Sequence, residues 1–190
     1  RHIYPNQATL SQFDYTYDAV GNIRGWRQQA DSTATQWSYD YDAADQLTQA
    51  VQQSADTPPV LLKRYAYGYD PAGNRTREQI DDAVTTATHD ALNRLQAHAP
   101  GGLLTFAGTL SEPGRVTVQG QPLPLDGTNS FRGWAPVSSG TNVVAVSATD
   151  ASGNSVTKQY QVNGAGGSAT FTSDLNSNLT SDGTRTFEWD

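Results

Sequence analysis

The chain has 190 residues, of which 36% are hydrophobic and 16% charged, and it carries a net charge of −7. Sixteen Asp against ten Arg and two Lys argue against a nucleic-acid partner, whose phosphates would be repelled. No Cys is present for disulfides, zinc ribbons or thiol nucleophiles, and no apolar run approaches the roughly 20 residues of a membrane-spanning helix.

Thr, Ser and Gln are abundant, at 22, 15 and 15, and 18 aromatic residues are spread along the chain rather than excluded from it as in a disordered acidic tail. Thr, Tyr, Val and Trp favour strands, and 17 Gly with 9 Pro supply turns, so the composition predicts an all-β fold. The chain starts at Arg1 and contains no Met, which predicts a piece of a longer protein.

A repeat runs through the first hundred residues. Phe13-Asp-Tyr-Thr-Tyr-Asp-Ala-Val-Gly-Asn22 is followed by Trp37-Ser-Tyr-Asp-Tyr-Asp-Ala-Ala-Asp-Gln46 and Tyr65-Ala-Tyr-Gly-Tyr-Asp-Pro-Ala-Gly-Asn74, then by the weaker Ala87-Thr-His-Asp-Ala-Leu-Asn-Arg94. The anchoring residues Asp18, Asp42, Asp70 and Asp90 are spaced by 24, 28 and 20 residues. After a gap, Phe171-Thr-Ser-Asp-Leu-Asn-Ser-Asn-Leu179 repeats the pattern with Asp174 and Asn178, and Phe187-Glu-Trp-Asp190 opens one more unit. Aromatics at alternate positions, such as Phe13, Tyr15 and Tyr17, project from one face of a strand. The Asp that follows accepts backbone N–H groups of the turn it opens. Gly21-Asn22 and Gly73-Asn74 suit the positive φ of a tight hairpin. Return strands follow at Ile23–Arg27 and Leu47–Val51. Each unit is therefore a β-hairpin, too small to be stable alone, so the hairpins stack edge to edge and bury Tyr17, Tyr41 and Tyr69 on one side.

The recurring aromatic-x-Tyr-Asp-x-x-Gly-Asn resembles the YD repeat of bacterial Rhs proteins, insecticidal toxin-complex components and animal teneurins. The resemblance covers residues 1–99 and 167–190. Ala44-Asp45 replaces the Gly-Asn turn in the second unit, His89 replaces Tyr in the fourth, and Ser173 replaces Tyr in the fifth; these units are expected to be looser. The resemblance implies a shell or solenoid of stacked hairpins whose partners are the rest of the shell and an enclosed C-terminal toxin. It also implies a bacterial secreted or cell-surface location.

Residues 100–166 read differently. Tyr160 is their only tyrosine, five of the nine prolines fall among them, and Arg115, Arg132 and Lys158 balance Glu112, Asp126 and Asp150. Strands are predicted at Leu103–Ala107, Arg115–Gln119, Ser130–Trp134, Asn142–Thr149 and Ser155–Val162. They are separated by breaks at Glu112-Pro113-Gly114, Gln121-Pro122, Asp126-Gly127, Ser139-Gly140 and Ala151-Ser152-Gly153-Asn154. Short strands at this spacing predict a small β-sandwich. Gly108 to Val118, Gly140-Thr-Asn142 and Val146 to Asn154 resemble bacterial Ig-like modules of the glucodextranase B type. Pro100-Gly101-Gly102 and Gly164-Ala165-Gly166-Gly167 flank the segment as linkers would, which predicts a self-contained insert.

Catalytic signals are scarce, and the expectation is of no enzyme, no cofactor and no metal. Asp70-Pro71-Ala72-Gly73 resembles the Asp-Pro-x-Gly of a self-cleaving aspartyl core, but it coincides with the third repeat's turn, where Pro presets φ. Asp174-Leu-Asn-Ser-Asn178 imitates half a calcium loop, with Leu179 and Arg185 where Gly and Glu are required, so a hairpin turn is the better reading. Among Trp26, Trp37, Trp134 and Trp189, only Trp134, beside Arg132 and Gly133, is a candidate exposed ligand platform. Two functions are expected from the whole: a structural wall segment that encloses or presents a toxin, or an adhesin that binds glycan or a cell-surface partner through the Ig-like insert.

Overall fold

Alternation of aromatic and polar residues over seven to nine positions commits a segment to a strand with one ring-bearing face. The computed structural model describes residues 2–6, 9–164 and 166–190, and every regular element among them is a strand. In chain order these are β1 (His2–Ile3), β2 (Thr9–Tyr17), β3 (Ile23–Ala30), β4 (Thr33–Tyr41), β5 (Leu47–Ser54), β6 (Leu61–Tyr69), β7 (Arg75–Ile80), β8 (Ala83–His89) and β9 (Leu95–Pro100). There follow β10 (Gly102–Thr109), β11 (Gly114–Val118), β12 (Gln121–Leu123), β13 (Ser130–Val137), β14 (Gly140–Asp150), β15 (Ser155–Gly164), β16 (Ala169–Thr170), β17 (Thr172–Ser173) and β18 (Leu179–Ser181). The all-β expectation holds, with antiparallel sheets throughout. The chain divides into two compact units, one running through Gly73 and the other from Asn74.

In the first unit, β1 to β6 pair antiparallel in sequence order. The register sets Tyr15 opposite Trp26 and Trp26 opposite Trp37, then Tyr39 opposite Ala50 and Ala50 opposite Tyr65. Side chains directly opposite share a face, so the aromatics form one continuous patch. Tyr15 and Trp26 lie 5.9 Å apart, Trp37 and Tyr39 6.0 Å, and Trp37 and Tyr65 6.1 Å. The reverse face carries Gln12, Asp14, Arg27, Gln36, Gln49 and Arg64.

In the second unit, β7, β8 and β9 continue the hairpin pattern, and β16 pairs with β9 through Ala169 opposite His98. The chain thus leaves the repeat sheet after Pro100 and rejoins it beside the strand it left. Between these points β10 pairs with β13, and β12, β11, β14 and β15 form a second sheet in that order. The five strands expected here all appear, and the short β12 at Gln121–Leu123 joins them where a break was expected. Ala165 of the exit flank lies outside the described residues.

The core joins these two sheets to the repeats. Leu104, Val118, Ala135, Val137, Val144 and Val162 are buried in one cluster with Val84, and Val84 belongs to β8. Gln79 of β7 is fully buried: its Oε1 accepts the Thr105 N–H at 2.8 Å, and its Nε2 donates to the Thr105 carbonyl at 3.4 Å. Arg77 donates to the Leu103 carbonyl at 2.8 Å. The expected insert therefore does not close its core by itself: Val84 of β8 is buried in the cluster, and Gln79 of β7 is bonded to Thr105.

Candidate functional site

The repeat resolves into a five-residue turn built on one carboxylate. Asp18 Oδ1 accepts the N–H groups of Val20 and Asn22, two and four residues ahead, while the Asp18 N–H donates to the Asn22 carbonyl and Gly21 N–H to the Asp18 carbonyl. The same scheme recurs at Asp42 with Ala44 and Gln46, at Asp90 with Leu92 and Arg94, and at Asp174 with Asn176 and Asn178. At Asp70, Oδ1 accepts Ala72 N–H and the carbonyl accepts Gly73 N–H, as in the other turns. The Asp174 carboxylate is engaged as a turn anchor, with Asn178 Nδ2 on its second oxygen.

The third residue after each Asp takes a left-handed backbone: Gly21, Asp45, Gly73, Asn93 and Ser177 have φ of 98°, 60°, 87°, 61° and 68°. Asp and Asn tolerate this region better than other non-glycine residues. The second unit, whose Gly-Asn turn is replaced, therefore keeps the same turn bonds as the first, against the expectation that it would be looser. The residue in the glycine's place is Asp45, one position later than the sequence comparison put it.

The hairpins at Asp18, Asp42, Asp90 and Asp174 also carry a bulge six residues after the Asp. Thr16 faces Gly25 but Tyr17 faces Ile23, which leaves Arg24 extra, and Thr48, Gln96 and Thr180 are extra in the same way. A bulge twists the strand locally and re-aims the side chains beside it.

Two turns of identical form were missed within residues 100–166. Asp126 Oδ1 accepts Thr128 and Ser130 N–H, and Asp150 Oδ1 accepts Ser152 and Asn154 N–H, with Asn129 and Gly153 at φ of 58° and 90°. The signal was present as Asp followed three residues later by Gly or Asn. The hairpin at Asp150 has no bulge, since Ala148 faces Val156 and Thr149 faces Ser155.

Two further contacts link successive repeats. The Tyr preceding each Asp reaches back: Tyr41 hydroxyl donates to the Ile23 carbonyl at 3.0 Å and Tyr69 hydroxyl to the Leu47 carbonyl at 2.9 Å. The residue four after three of the aspartates reaches forward: Asn22 Nδ2 donates to Asp45 Oδ1 at 2.8 Å, Asn74 Nδ2 to Asn93 Oδ1 at 2.9 Å, and Arg94 to the Asp174 carbonyl at 2.8 Å. Tyr41 and Tyr69 are half-buried, but Tyr17 is 60% exposed, so the expected burial of all three is corrected at Tyr17. Burial of the Tyr comes from the return strand of the preceding repeat, and among the described residues the strand beside β2 on that side is the two-residue β1.

His89 stands where this Tyr would be, and its Nδ1 is buried without a hydrogen-bond partner. Imidazole is too short to copy the phenol's reach. A cleft of about 390 Å³ lined by Arg75, His89, Leu95 and His98 adjoins it. His89→Tyr should extend into that space and place its hydroxyl on the Arg75 carbonyl, five residues after Asp70. A gain of about 1 kcal/mol is expected, or roughly 2–4 °C in melting temperature by calorimetry. No gain would mean that the fourth repeat does not keep the register of the others.

The carboxylates of Asp18, Asp90, Asp126, Asp150, Asp174 and Asp182 share an electrostatic signature. Backbone N–H of Arg94 holds Asp90 below its ordinary pKa, and Thr128 hydroxyl does the same for Asp126. Asn154 and Asn178 side-chain amides lower Asp150 and Asp174, and Arg185 N–H lowers Asp182. At Asp18 partial desolvation opposes ionisation, and the N–H donors of Asn22, Val20 and Gly21 outweigh it. A carboxyl whose pKa is lowered on folding contributes stability above its unfolded value near 4, and that stability disappears as pH falls through the folded value. Urea midpoints should therefore be level above about pH 5 and fall below it. Asp150→Asn should flatten part of that acid limb; an unchanged limb would remove the turns as its cause.

Trp134 is 54% exposed on β13, with Arg132 and Pro136 exposed on the same face. Trp26 and Trp37 are partly buried in the aromatic patch, and Trp189 donates its indole N–H to the Leu179 carbonyl. Among the described residues no group of three His, Asp or Glu side chains is placed to hold a metal ion, and no helix is long and apolar enough to cross a membrane. No family model matches the chain, and no curated protein matches it.

Proposed function

We propose that this chain is a wall segment of a secreted or surface bacterial protein of the Rhs/YD-repeat type, with an Ig-like sandwich inserted between two of its repeats. Its work is enclosure or presentation of a C-terminal toxin domain, and it performs no chemistry of its own. The carrying observation is the stitching of each repeat to the next, by Tyr41 and Tyr69 backward and by Asn22, Asn74 and Arg94 forward. A turn needs its Asp to fold locally, but it needs neither of these reaches unless another repeat lies beside it. Arg94 meets Asp174, eighty residues on, as though residues 100–166 were absent. Repeats that contact only their neighbours build extended walls of any length.

Limited proteolysis of the full-length gene product tests this reading. A domain enclosed by the wall should resist cleavage, and Tyr41→Ala should speed its cleavage by weakening the stitching. Equal cleavage rates for that domain inside the protein and alone would overturn enclosure. The second reading, glycan or partner binding through the insert, is favoured by the exposure of Trp134 beside Arg132. Glycan-array binding by the parent that is lost in Trp134→Ala would support it.

A further inference from the structure

The strand β15 ends the four-stranded sheet, and none of the described residues pairs with its outer edge. It pairs with β14 over ten consecutive residues without a bulge. Asp150 N–H donates to the Asn154 carbonyl in the same register, so the even-numbered residues of β15 exchange backbone bonds with β14. Thr157, Gln159 and Gln161 therefore direct their N–H and C=O groups away from the sheet. All residues from Ser155 to Gln161 are exposed, and β15 contains no Pro.

Neighbouring edges are defended. At the opposite end of the same sheet, β12 is three residues long, contains Pro122 and is followed closely by Pro124. On β13 the outward residues include Arg132 and Pro136. On β10 the edge-facing backbone at Leu103 and Thr105 is occupied by Arg77 and Gln79. Short strands, prolines, charges and covering side chains are the usual means of keeping an edge from recruiting another strand. Of these β15 has one lysine.

We propose that β15 is a self-association edge, pairing antiparallel with β15 of a second copy about a two-fold axis at Gln159. In that register Thr157 of one copy exchanges backbone bonds with Gln161 of the other, and Gln159 with its own copy. On the face from which Tyr160 meets Phe106, Lys158 of each copy lies opposite Tyr160 of the other, an ammonium beside an aromatic ring. Moving the axis one residue back would set Lys158 against Lys158, which like charge disfavours. The chain's −7 resides outside residues 100–166, where three positive and three negative side chains balance, so two copies meet here without net repulsion. An isologous contact of this kind closes at the dimer.

Sedimentation equilibrium of the whole chain tests the proposal. The parent should form a dimer at tens of micromolar, and Gln159→Pro should weaken it at least ~10-fold, by removing the central donor. That N–H takes no part in the chain's own ladder, so the variant's circular dichroism should match the parent's. Tyr160→Lys and Tyr160→Glu both lose the contact with Phe106, but only the first sets lysine against lysine. The register predicts a monomer for Tyr160→Lys and a retained dimer for Tyr160→Glu. A monomeric parent, an open polymer, or a dimer indifferent to Gln159→Pro and to the sign of charge at 160 would each overturn it.

Discussion

Replacing Gln79 with Leu should lower the stability of the second unit by about 2–4 kcal/mol, although the side chains are similar in volume. Gln79 is fully buried, and Thr105 opposite it is 4% exposed. Leucine would leave the Thr105 N–H and carbonyl facing hydrocarbon, where each unmade bond costs about 1–3 kcal/mol. The burial of extra apolar atoms offsets part of that loss. Denaturant titration measures the change, and hydrogen exchange should show the Thr105 amide among the most accelerated. A change below about 0.5 kcal/mol would mean that β7 and β10 are not joined through this side chain.

Truncating Leu104 to Ala should destabilise by about 3–5 kcal/mol, through lost burial and an unfilled cavity. Leu104 is 2% exposed and lies in the cluster that contains Val84 of β8 and Val144 of β14. Because both elements lean on the same side chains, amide protection in β8 and β14 should fall together. Loss confined to β14 and β15, with β8 still protected, would show that the cooperative boundary lies near residue 100 after all.

The hairpins were legible in the sequence because their determinants are local. A carboxylate that bonds amides two and four residues ahead leaves its mark within five letters, and so does the left-handed residue three ahead. The turns at Asp126 and Asp150 went unrecognised because they were read as glycine-rich breaks, without attention to the aspartate that opens them. The shared core was not legible at all. Gln79 reads as a surface residue, and Val84 follows Asp81-Asp82 in what looks like an exposed turn. Their burial depends on Thr105 and Leu104, brought over them by a chain that departs and returns. Tyr17 shows the same limit in reverse: its sequence neighbours match those of Tyr41, but its burial depends on a strand before it.

The two residues that follow each turn aspartate have a particular freedom. The amide of the second is held by the Asp carboxylate, but the side chains point into water: Val20, Leu92 and Leu175 are all exposed, Leu175 completely. Nothing in the hydrogen-bond scheme constrains what those side chains are, as Ala-Val, Ala-Ala, Pro-Ala, Ala-Leu and Leu-Asn at the five repeats illustrate. Mutation can therefore explore these tips at almost no cost to folding, while Asp and the left-handed position stay under constraint. Such a protein can diversify the rim it shows to its surroundings, tip by tip, without ever redesigning the sheet beneath.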